Sequence, residues 1–117
     1  MIAVIFEVLP AEGNRQVYLS IAATLREELE TIEGFISVER FQSLTNPDKM
    51  LSLSFFETEE AVQRWRSTRL HRTAQAKGRG GVFRDYRLRV AQVIRDYGMG
   101  ERDEAPADSK DAHDMGA

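Results

Sequence analysis

Residues 35–57 read FISVERFQSLTNPDKMLSLSFFE, two runs rich in β-branched and aromatic residues on either side of Asn46-Pro47-Asp48. Turn chemistry between two such runs predicts a β-hairpin, with strands over Phe35 to Leu44 and Met50 to Glu57. The chain is similarly organised on both sides of it. Upstream, Tyr18, Ile21, Ala22, Leu25, Leu29 and Ile32 recur at helical spacing, and Gly34 stands where a left-handed residue would end the helix. Downstream, Thr58 is suited to cap a second helix, with Glu59 and Glu60 near its positive end. That helix carries Ala61, Val62 and Trp65 on its apolar face, and the spacing continues through Leu70 and Ala74 toward Gly78. Outermost lie two more strands, Ile2 to Leu9, closed by Pro10, and Val82 to Tyr97, which alternates in hydropathy. The order β-α-β-β-α-β, with right-handed crossovers, predicts an α+β ferredoxin-like sandwich with both helices on one face of a four-stranded antiparallel sheet.

The other face of such a sheet has no cover within the chain. Alternation places Val4, Phe6 and Val8 with Leu51, Leu53 and Phe55 on one side, and Ile5, Phe41 and Phe56 on the other. A bare apolar sheet face calls for a partner. The last strand, up to about 16 residues, far exceeds the usual five or six, and its excess is expected to reach a second subunit. A homodimer with sheets packed face to face and strand ends exchanged is the expectation.

The 117 residues suffice for one domain, and the absence of cysteine excludes a disulfide framework, a thiolate nucleophile and Cys-based metal sites. No apolar run approaches a membrane span, and Met1 leads directly into Ile2-Ala3-Val4-Ile5-Phe6 without a basic leader, so a cytoplasmic protein is expected. The net charge of −3 hides a polarised chain: −7 over residues 1–63, +8 over 64–97 and −4 over 98–117. The last block has no periodic apolar residues and reads as a disordered acidic tail, leaving residues 1–97 as the folded domain. Nucleic-acid binding through the basic segment is not expected, because the third strand, Lys49 to Phe55, lacks the glycine of an RNA-reading sheet and reads as buried. The arginines are better matched by the acidic first half, including Glu27, Glu28, Glu30 and Glu33 on the first helix. Nor does the sequence hold a metal-ligand cluster, a phosphate-binding loop or a nucleophile elbow.

Gly34-Phe35, the strand Ser37-Val38-Glu39-Arg40-Phe41, Pro47, Leu53 and Phe55, Glu60-Ala61, Trp65 and His71 together resemble the antibiotic biosynthesis monooxygenase family. The resemblance covers about residues 1–97 and implies a dimeric α+β barrel built from ferredoxin-like subunits. It also implies one of three functions. The first is a cofactor-independent monooxygenase acting on a small aromatic or quinol-type substrate between helices and sheet. The second is a non-catalytic dimeric small-molecule-binding or stress-related module. The third is haem binding or degradation with His71 as iron ligand, but that branch uses a first-strand Asn, and Ile5-Phe6-Glu7-Val8 has none.

A cofactor-free oxygenase must deprotonate its substrate, stabilise the anion and admit dioxygen to a dry pocket. His71 is the expected base or hydrogen-bond partner, since its ordinary pKa suits the task. Trp65 would form an aromatic wall, although its helical spacing fits a core residue too. Arg72 and Tyr86, with Arg87 as an alternative, would stabilise the anion. Trp65 and His71 lie about 240° apart around a continuous helix, so a break near Ser67-Thr68 is needed to bring them together.

Overall fold

The hairpin forms where its turn residues dictate. In the computed structural model, which describes residues 1–68, 76 and 81–107, Asn46 Oδ1 accepts from the Asp48 amide at 3.2 Å and Ser43 Oγ from the Asn46 amide at 3.1 Å. Gln42 Nε2 closes the loop by donating to the Pro47 carbonyl at 2.8 Å. The elements are β1 (Ile2–Pro10), α1 (Arg15–Leu29), β2 (Phe35–Gln42), β3 (Met50–Phe56), α2 (Glu59–Arg66) and β4 (Phe83–Gln92). The strands form one antiparallel sheet in the order β2-β3-β1-β4. Leu29 of α1 and Ala61 and Val62 of α2 share a buried cluster with Ile2, Val4, Val38 and Phe56, so both helices cover the same sheet face. The ferredoxin-like α+β sandwich is the fold.

A local signal starts α2, whereas the one read for the end of α1 does not act there. Thr58 Oγ1 accepts from the Ala61 amide at 3.2 Å, with Glu59 and Glu60 in the first turn. α1 stops at Leu29, five residues before Gly34, and Gly34 serves a different joint. Its φ is +90°, and a Cβ there would stand 2.8 Å from Ala61 Cβ, while its carbonyl accepts from the Glu57 amide at 2.7 Å. Glycine lets the chain pass directly against the first turn of α2.

Two expectations about the strands are corrected. β1 pairs Ile5 with Leu53 and Phe6 with Ser52, while Ile2 faces Phe56. Leu51, Leu53 and Phe55 therefore point away from the helices with Ile5, and Phe56 belongs to the core, fully buried. Both faces of β3 are apolar enough to look like a core, and alternation alone does not say which one is inside. In β2 the register shifts between Phe35 and Ser37, leaving Ile36 unpaired. That bulge puts Phe35 and Val38, three positions apart, on the helix side and leaves Glu39 and Phe41 outside. Second, β4 ends at Gln92 rather than Tyr97. Its neighbour β1 begins at Ile2, opposite Gln92, and after one further bond, from the Val93 amide to the Met1 carbonyl, the ladder has no partner.

Of the acidic segment, residues 98–107 carry local turns: the Gly98 amide donates to the Glu101 carbonyl at 2.7 Å, and the Arg102 guanidinium lies over the Tyr97 ring. Glu7, on the outer face, joins the acidic and basic halves of the chain through Arg89 at 3.1 Å, and it also pairs with Lys49 at 3.6 Å. The hydrogen bond from Arg89 is the main reason that the Glu7 carboxyl titrates below its ordinary value. At the end of α1, its C-cap residue Glu30 pairs instead with Arg26 of the helix.

Candidate functional site

Two buried clusters hold the helices to the sheet. One is centred on Phe56, Leu29 and Val62, with Trp65 and Phe35 packed against it. The other gathers Val8, Tyr18 and Met50, flanked by Phe6 and Phe83. A cavity of about 110 Å³ is lined by residues of both clusters, among them Val4, Leu29, Val38 and Trp65 from the first and Phe6, Tyr18 and Phe83 from the second. The small side chains Ser52, Ser54 and Ala22 also line it. Side chains this short on a central strand and on the helix above it do not fill the interlayer space, and in a close-packed interior that leaves a void.

Aromatic rings make much of the wall. Trp65 stacks on Phe56 at 5.8 Å with 26° between the planes, so it is both a core-packing residue and part of the cavity lining. Phe83 contacts Phe6 at 5.7 Å, Tyr18 at 5.6 Å and Tyr86 at 6.0 Å. Tyr86 and Leu88 reach the cavity from β4 and remain 44% and 39% exposed, so β4 forms the more open side of the lining.

Of the residues expected at the site, Trp65 and Tyr86 line one cavity. Arg87 alternates with Tyr86 and pairs in register with Glu7 on the outer face, away from it. His71 and Arg72 lie outside the described residues. Helix α2 does stop before them, at Arg66, where Ser67 forms the C-cap and the Thr68 amide donates to the Trp65 carbonyl at 3.0 Å.

The cavity contains a charge that reading the sequence did not identify. Arg40 lines it from β2, with Ser52 opposite in the register. Its Nε is buried without a hydrogen-bond partner, and Nη2 reaches the Ala22 carbonyl only at 3.5 Å. Tyr18 is 4% exposed. Burial raises the pKa of its phenol, and the neighbouring Arg40 guanidinium partly opposes that shift, so Tyr18 remains a protonated hydroxyl at neutral pH. The signal for Arg40 was present, an arginine two positions from an inward Val38, but it depends on the bulge at Ile36.

A ferredoxin-like sandwich with an aromatic-walled cavity between its layers narrows the class, and comparison with known proteins identifies the family. The profile of the antibiotic biosynthesis monooxygenase family matches residues 1–77, and this chain belongs to that family. A jasmonate monooxygenase from Pyricularia oryzae is 52% identical over 93 residues, which is 80% of this chain and 43% of the relative. The chain thus spans less than half of that relative's length. Among solved structures, a Mycobacterium tuberculosis protein superposes with a TM-score of 0.74 at 13% identity, covering 83% of this chain and 98% of that one. A conserved Methanosarcina mazei protein gives 0.71 at 16% identity, over 78% and 90%. At these identities the two structures attest the fold.

Proposed function

We propose that the chain is a monooxygenase domain whose small, largely apolar or aromatic substrate occupies the cavity between α1, α2 and the sheet. The observation that carries this reading is the cavity itself: an aromatic-walled space with few polar groups, next to the family's monooxygenase relative. Cofactor-independent chemistry is part of the proposal. An activated methylene, as in an anthrone, supplies all four electrons when R–CH2–R and O2 give R–CO–R and water. One oxygen atom stays on carbon and the other leaves as water. Trp65 provides the wall and helps exclude water, and Tyr86 offers a hydroxyl to the developing anion. On chemical grounds His71 takes the substrate proton, and Arg72 is a second anion stabiliser.

The functional unit in this proposal is a homodimer, because Ile5, Leu51, Leu53, Phe55 and Phe41 form an apolar outer face that a second sheet would cover. Oxygen uptake with anthrones, hydroquinones and jasmonate tests the activity. Uptake without added reductant, lost in His71→Ala and reduced in Trp65→Phe, is the expected result. Jasmonate hydroxylation would need two external electrons, so uptake that occurs only with NADH overturns the cofactor-independent part. A Soret shift on adding hemin, abolished by His71→Ala, favours haem chemistry instead. No uptake under any condition leaves the non-catalytic binding module.

A further inference from the structure

Arg40 is a cation in an apolar place. Its guanidinium lines the cavity beside Tyr18, and the cavity lining among the described residues includes no carboxylate. No salt bridge reaches it among the described residues, and the intervening sequence 69–80 contains no Asp or Glu. Arg40 is half-buried, but its Nε is cut off from solvent, and a desolvated donor without an acceptor is costly. Arg40 has a buried Nε with no acceptor, a 3.5 Å contact to a helix carbonyl, and the Tyr18 hydroxyl next to it. What the site lacks is an anionic oxygen, and the space beside it is open.

We propose that Arg40, with Tyr18 as hydrogen-bond donor, anchors an anionic oxygen at one end of the ligand, so that the cavity selects small apolar molecules bearing a carboxylate or an ionised enol or phenol. The apolar remainder of the ligand lies along Phe6, Leu25, Phe83 and Trp65. This inference rests on the reading of the cavity as the substrate site. Arg40 orients the substrate through a charge-assisted hydrogen bond and leaves proton removal to another group. That role differs from the one proposed for Arg72, and it is fulfilled from the sheet.

The test uses binding rather than turnover, on the full-length protein. The chain has one tryptophan, Trp65, and it lines this cavity, so its fluorescence reports occupancy alongside calorimetric titration. The probes are 4-phenylbutyrate, its neutral primary amide, and 4-nitrophenolate at pH 8, the last followed by calorimetry alone. The expected result is that at least one anion binds about tenfold or more tightly than the amide, the difference that one charge-assisted bond supplies. Arg40→Met should bring the anions down to the affinity of the amide. Arg40→Lys should restore part of the preference, and Tyr18→Phe should weaken it. Far-UV circular dichroism confirms that each variant is folded. The two anions separate the two sources: preference for the carboxylate indicates an acid substrate, and preference for the phenolate indicates an ionised enol or phenol. Equal binding of anions and amide, or an anion preference that survives Arg40→Met, overturns the anchor and leaves the cavity as the binding site. No response to any probe up to millimolar concentration overturns the cavity reading, and the anchor with it.

Discussion

The two faces of β3 invert the usual arrangement of a sheet under helices. Toward the helices it presents Met50, Ser52, Ser54 and Phe56, and away from them Leu51, Leu53 and Phe55. The inner face therefore has small polar residues at its centre, which leave a cavity with Arg40 at its side. The outer face has the larger apolar residues at its centre, with the charges Glu7, Arg89 and Glu39 around them. A sheet with one solvated face reads hydrophobic inside and polar outside. Here the inner face has given up packing for a cavity, and the outer face has kept the apolar surface that the proposed dimer would cover.

Adjacent phenylalanines give the strongest contrast. Phe56 is fully buried and stacked on Trp65, so Phe56→Ala should cost about 3–5 kcal/mol in urea unfolding. Phe55 is partly exposed on the outer face, and Phe55→Ala should cost only about 1 kcal/mol in the protomer. If the costs are equal, the two faces do not differ as described. Next come two substitutions of opposite kind on the same strand. Ser54→Leu should fill the cavity and weaken ligand binding at least tenfold, with a stability change of at most about 1–3 kcal/mol. Leu53→Lys should leave binding unchanged and shift sedimentation at micromolar concentration from dimer to monomer. A wild type that sediments as a clean monomer removes the need for any cover on the outer face.

The smallest effect belongs to the rim. Arg89 and Lys49 hold the Glu7 carboxyl below its ordinary value of 4.5, so folding gains from its ionised form above that pH. The gain disappears as pH falls below 4.5 through the depressed value of the folded state. Glu7→Gln should lower the melting temperature slightly at pH 7, and the difference from wild type should shrink as the pH falls below 4.5. A difference that does not shrink on acidification would mean that Glu7 acts through packing.

Much of this was legible because it is local. The turn at Asn46-Pro47-Asp48, the cap at Thr58 and the helical spacing from Tyr18 to Leu29 depend on neighbours within a few residues, and each formed as read. The resemblance that pointed to the family also rested on short motifs such as Gly34-Phe35 and Glu60-Ala61. Trp65 was legible as a core residue or a pocket residue, and it packs on Phe56 while lining the cavity. Arg40 was not, since its inward position two residues after Val38 depends on the bulge at Ile36.

By itself the sequence determined the order of elements, the start of α2 and the presence of apolar residues on both sides of the sheet. Which side met the helices was decided only when the strands paired. Alternation with a period of two defines two faces without saying which is inner, and one unpaired residue at Ile36 exchanges them along β2. The cavity, and the arginine within it, follow from that choice of register.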